Sequence, residues 1–120
     1  MIEDAPRLSH EKLDVYQKSI QFLVLSTRIS ADIPKGNAEL VDQLKRAALS
    51  VPLNIAEACG RTGSRDNSKH FTIARGSALE CGAIVDICLA LGYLEKERFI
   101  EAKRLLVSVV AMLTKLCFKG

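Results

Sequence analysis

The chain has 120 residues, 48% of them hydrophobic and 26% charged, which fits one globular domain spanning 1–120 and excludes an intrinsically disordered chain. With no Trp, four Phe and two Tyr, the core has to be built from Leu, Ile, Val and Ala. The formal net charge of +3 permits contact with nucleic acid without demanding it.

The opening stretch "MIEDAPRLSH" is polar, shows no signal-peptide pattern, and reads as a flexible N-terminal arm over residues 1–9. The first helix is expected from about His10 to Ile33, where "IPKGN" ends it with Pro34 and Gly36. It carries two apolar stripes. Leu13, Tyr16, Ile20 and Leu23 are expected to face the core. Val15, Phe22 and Ile29 lie roughly half a turn away at 100° per residue and are expected to meet another subunit, because a surface helix needs only one stripe.

Asn37 can cap a second helix that runs to about Gly60. Leu40, Leu44, Ala47, Val51, Asn54 and Ala58 alternate steps of three and four along it, so Asn54 falls on the seam. Pro52 lies inside this helix and is expected to kink it by removing the bond to the Ala48 carbonyl, at a cost of about 3 kcal/mol unless compensated. Arg75, Asn54 and Ser77 are the expected donors to that carbonyl.

"GRTGS" at 60–64 is the next break, with Ser64 as the expected cap of a third helix that continues to "LGYL" at 91–94. After Ala74 this helix is nearly apolar on all sides and should be largely buried. A fourth helix is expected from about Glu95 to Phe118, its seam formed by Phe99, Ala102, Leu106, Val109, Leu113 and Leu116. Four helices of about 22 to 28 residues, each some 33 to 42 Å long and joined by short connections, predict an all-α, antiparallel, up-down-up-down four-helix bundle with the second helix kinked at Pro52.

Folding the second and third helices together about Thr62 brings Ser50 near Ala74, Ala47 near Ser77, and Arg46 within a turn of Glu80. Small residues then face one another. The expectation is a buried network of Arg46, Asn54, Glu57, Arg75, Ser77 and Glu80 that fixes helix register; a binding surface or subunit contact that includes Glu57 and Arg75 is the functional alternative.

No catalytic residue is assigned. Glu57 and Glu80 are too far apart in this pairing to share a cleft as acid and base, and no Ser or Cys sits beside His10 or His70 in a recognisable motif. "GRTGS" lacks the Lys and the spacing of a P-loop. Cys59, Cys81, Cys88 and Cys117 form no C-x-x-C pair and read as reduced core thiols, so no metal and no cofactor is expected. The longest apolar run, "AIVDICLALGYL" at 83–94, contains Asp86 and falls short of the roughly 20 residues of a membrane span; the location is read as cytoplasmic.

The basic residues carry the functional expectation. Arg61, Arg65 and Lys69 recur every four residues with His70 beside them and only Asp66 opposing, a stripe that can track phosphates. A second cluster of Lys96, Arg98, Lys103 and Arg104 is diluted by Glu95, Glu97 and Glu101 and reads as a solvated face. Stacking aromatics are not expected near the stripe, since Phe71 belongs to the seam.

"QLKRAALSVPLNIAEACGR" at 43–61 and "FTIARGSALE" at 71–80 resemble the bacterial four-helix bundle family first met as open reading frames within intervening sequences of 23S rRNA genes. "LDVYQKSIQF" at 13–22 and "LGYLEKERF" at 91–99 extend the resemblance over nearly the whole chain. Ala58 departs from the family's usual Gly, and Thr72 from a usual aliphatic residue. The resemblance implies a ring-like homopentamer, and kinship with accessory proteins of diversity-generating retroelements, which work with a reverse transcriptase and bind nucleic acid. The expected protein is thus a non-enzymatic homo-oligomer that associates with RNA or DNA through Arg61, Arg65, Lys69 and His70. The alternative is an oligomeric protein scaffold that binds no nucleic acid.

Overall fold

After a single 3-10 turn at Ser9–Lys12, an extended Leu13 separates that turn from the first long helix, so the expected start at His10 divides into two pieces. The computed structural model describes residues 2–118. Four α-helices follow: α1 Asp14–Asp32, α2 Ala38–Gly60, α3 Ser64–Ala90 and α4 Lys96–Cys117. No strand occurs among the described residues.

The breaks have local causes. Gly36 takes φ +94 after Pro34, a conformation that favours glycine, and this turns the chain from α1 into α2. Gly92 takes φ +77, its N–H donating to the Leu89 carbonyl and that of Tyr93 to the Cys88 carbonyl at 2.9 Å. This paired closure ends α3 at Ala90, where the "LGYL" break at 91–94 begins. Neither expected cap forms. The Asn37 side chain donates back to the Pro34 carbonyl, and Gly63, not Ser64, precedes the first residue of α3.

Each helix touches two others: α1 and α3 both pack on α2 and α4, with the α2–α3 contact the most extensive. This is a four-helix bundle, 43 Å in its longest dimension, which matches the length of about 40 Å expected for the 27 residues of α3. Three cross-helix bonds fix the register of α2 on α3: Asn67 to the Ala58 carbonyl, His70 to Asn54, and Ser77 to Ser50. On the other side Ser68 bonds the Cys117 carbonyl, Arg75 bonds Thr114, and Lys103 pairs with Asp86 at 2.8 Å. In both series the numbers fall in one helix as they rise in the other, the order of helices running in opposite directions.

The core follows the expected seams of α2 and α4. Leu44, Ala47, Val51 and Ala58 are buried with Ala48 and Ile55 beside them, opposite Ala102, Leu106, Val109 and Leu113. In α1 the expectation is reversed. Val15, Phe22 and Ile29 are 3%, 2% and 0% exposed and lie in the core, while Leu13, Tyr16, Ile20 and Leu23 are only half-buried at its flanks. Val15, Phe22 and Ile29 are therefore core residues and not the expected subunit interface. Ser19 and Ser26 share the buried face, because each hydroxyl donates within its own helix, to the Tyr16 and Leu23 carbonyls. The third helix is also less buried than its composition suggests, since Leu79, Ile87 and Leu89 are exposed.

Candidate nucleic-acid interface

The α2–α3 crossing holds a chain of hydrogen-bonded side chains. Ser77 Oγ donates to Ser50 Oγ at 2.8 Å, and Asn54 Nδ2 donates to both the hydroxyl and the carbonyl of Ser50. Asn54 Oδ1 then faces His70 Nδ1 at 3.2 Å. A carbonyl oxygen can only accept, so Nδ1 carries the proton and donates. Helix α2 passes through Pro52 as one continuous element, and the three expected donors to the Ala48 carbonyl are all committed elsewhere: Asn54 and Ser77 to Ser50, Arg75 to Thr114.

The charged members of the expected network lie outside it. Arg46 is exposed and pairs with Asp42 at 2.9 Å, away from the expected Glu80, and Glu80 itself is exposed. Glu57 is exposed and pairs with Arg61 one turn on. The cause is direction. Arg46, Glu57 and Glu80 point from the outer faces of their helices, where water solvates them at no desolvation cost. Among the described residues the α2–α3 register is fixed by Ser, Asn and His side chains, with no ion pair across the crossing.

The basic stripe is split in the same way. At 100° per residue, Arg65, Ser68, Lys69, Thr72 and Arg75 cover an arc of about 120° on α3, and Asp66 and His70 fall outside it. His70 turns to α2; Ser68 and Arg75 turn to α4. Arg65 and Lys69 are exposed, and neither forms an ion pair among the described residues. Arg61 keeps its place at the end of α2 with its charge partly offset by Glu57. Arg75, expected in the α2–α3 network, instead donates through Nε to Thr114 at 2.8 Å and joins the outward cations.

Burial, with the charge of Glu80 adding to it, pushes the Cys81 thiol up to about 12, and burial raises Cys59 and Cys88 as well. All four cysteines are free. Among the described residues no cluster of His, Cys, Asp or Glu converges as a metal-binding set, and no helix is long and apolar enough to cross a membrane.

Compared with known protein families, residues 11–115 match the one described as 23S rRNA-intervening sequence protein. The chain belongs to that family. The match covers α1, α2, α3 and all but the last two residues of α4. Among solved structures the chain is similar to a protein of unknown function from the S23 ribosomal protein family of Bacteroides thetaiotaomicron VPI-5482. The TM-score is 0.79 at 20% identity, over 88% of this chain and 99% of that one. At that identity the likeness concerns the fold. No curated protein matches the chain.

Proposed function

We propose that this member of the 23S rRNA-intervening sequence protein family is a non-enzymatic, self-associating bundle that binds nucleic acid at the end where α2 leads into α3. The observation that carries this reading is the pair Arg65 and Lys69, one turn apart, exposed and without ion pairs among the described residues, with Arg61 just ahead of them. Cations held on one helix face without carboxylate partners suit a phosphate backbone. The non-enzymatic reading goes with the contacts of two titratable side chains near the crossing: Glu57 is paired to Arg61, and His70 is tied to Asn54. A cytoplasmic setting suits four free thiols.

Titration of labelled RNA at salt concentrations from low to physiological tests the reading. Binding should weaken steeply with salt, and the combined variant Arg61→Ala, Arg65→Ala, Lys69→Ala should flatten the slope by about 0.7 to 0.9 for each phosphate that is no longer neutralised. No binding at low salt, or binding unchanged in the triple variant, would sink the idea.

A second reading, a scaffold that binds only protein, is favoured by one feature. Leu79, Gly82, Ala83, Val107, Val110 and Ala111 line an apolar groove of about 450 Å³ between α3 and α4, with Val107 66% exposed. With Val15, Phe22 and Ile29 in the core, self-association falls to outer surfaces of this kind. Light scattering would detect the oligomer, and purified material free of RNA would favour the scaffold.

A further inference from the structure

The end of α4 is fastened against the cationic face of α3. Ser68 Oγ donates to the Cys117 carbonyl at 2.8 Å, and Arg75 Nε donates to Thr114 Oγ1, which itself bonds the Val110 carbonyl at 2.7 Å. The Phe118 N–H donates to the Thr114 carbonyl, so its backbone continues the last helical turn. At 100° per residue the Phe118 side chain leaves α4 between Thr114 and Lys115.

Phe118 is 79% exposed, more than any other large apolar side chain among the described residues. The remaining aromatic rings are engaged elsewhere. Phe22 and Phe71 are buried, Phe99 and Tyr93 pack half-buried on the core, and Tyr16 meets His10 edge-on. The stacking group missing from the sequence around Arg61, Arg65 and Lys69 is thus supplied by a residue about fifty positions away.

Among the described residues, the charges on the arc of α3 from Arg65 to Arg75 that turns toward α4 and on the last turns of α4 have one sign. Arg65, Lys69 and Arg75 lie along about 15 Å of α3, and Lys115 is exposed on α4 one turn before the ring. Arg75 uses only Nε on Thr114, and no carboxylate pairs with it among the described residues. No Asp or Glu occurs in α4 after Glu101, and α3 has none between Asp66 and Glu80. An exposed ring bordered by unpaired cations is the chemistry of single-strand binding, in which phosphates follow the charges while an unpaired base stacks on the aromatic face. Base pairs inside a duplex keep both faces stacked and offer none to the ring; only the two end pairs expose a face.

We infer that Phe118 is a base-stacking platform, and that with Arg65, Lys69, Arg75 and Lys115 it forms a groove for single-stranded nucleic acid along the α3–α4 end of the bundle. This rests on the nucleic-acid reading above and assigns it a substrate class, a strand with unpaired bases.

The chain contains no Trp, so Phe118→Trp introduces a single fluorescent reporter. Titrating this variant with single-stranded RNA, single-stranded DNA of the same sequence, and the corresponding blunt duplex reads the stacking directly. Either single strand should quench the fluorescence and the duplex should not, and the stronger quencher identifies the natural strand type. Phe118→Ala should weaken single-strand binding about 5- to 150-fold with an unchanged salt slope, and circular dichroism should show the same helix content. Phe118→Leu should bind like Phe118→Ala, since it keeps apolar bulk and loses the π face. Wild-type binding that survives Phe118→Ala unchanged, or equal quenching by the duplex, overturns the platform and leaves the basic face standing. No binding of any strand by the wild type at low salt overturns the reading beneath it as well.

Discussion

On the side of α3 that meets α2, the polar side chains are short and bonded to one another: Ser50, Asn54, His70 and Ser77, with Asn67 on the Ala58 carbonyl. On the side that turns outward and toward α4, Arg65, Lys69 and Arg75 are long and cationic among the short hydroxyls of Ser68 and Thr72, and Arg65 and Lys69 have no ion-pair partner among the described residues. The contrast separates two uses of polarity. Where a buried group finds its partner within the chain, it specifies how helices cross, and no buried side-chain polar atom among the described residues is left unsatisfied. Where charges are held close together without partners, they repel each other mildly and gain when an outside anion arrives.

The largest effect should come from the inner side of this contrast. Phe22→Ala removes a ring that is 2% exposed and should cost about 3 to 5 kcal/mol of stability in denaturant unfolding. Had Phe22 been an exposed interface residue, the monomer would change by no more than about 0.5 kcal/mol and only the oligomer would suffer. A nearly unchanged unfolding midpoint would therefore contradict the core assignment. Next in size is Asn54→Ala, which strands His70 Nδ1 and removes both donations to Ser50; it should cost about 1 to 3 kcal/mol. Its RNA salt slope should match the wild type. A variant that stayed stable but no longer bound RNA would place Asn54 on the outer, recruiting side and collapse the distinction.

Much of the inner side was legible in the sequence. The three breaks and the seam of α4 follow from helical period and loop length; the α2–α3 pairing was legible only approximately, since Ser77 meets Ser50 where Ala47 was expected, and His70, expected on the basic stripe, meets Asn54. The orientation of α1 did not follow, although a signal was present. Val15, Ser19, Phe22, Ser26, Ile29 and Ile33 step 4-3-4-3-4 over 18 residues, a longer run than that of Leu13, Tyr16, Ile20 and Leu23. The two serines hid it, because a hydroxyl that can bond its own helix is tolerated in a core without appearing apolar. Arg75 was misplaced for a different reason. Its sequence neighbours suit the α2–α3 crossing, yet its angular position on α3 delivers it to Thr114 of α4. The role inferred for Phe118 lay beyond sequence reading altogether, because only the packing of α4 on α3 brings residue 117 to residue 68.

The smallest expected effect tests the border between the two sides, at Glu57 and Arg61. Their pair is exposed, with side chains 50% and 45% accessible, so solvent screens it and its removal should shift stability by only about 0.2 to 1 kcal/mol. Glu57→Gln keeps the shape and removes the negative charge. If Arg61 belongs to the phosphate-tracking face, the variant frees it: RNA affinity should rise at low salt, and the salt slope should steepen by up to about 0.7 to 0.9, the equivalent of one more neutralised phosphate. The gain should fade as salt rises, because the removed repulsion is itself screened. If Arg61 only closes the last turn of α2, the slope stays as in the wild type and the small drop in stability is the whole effect. The two outcomes differ in a quantity that folding does not touch, so one substitution decides whether the recruiting surface begins at Arg61 or at Arg65.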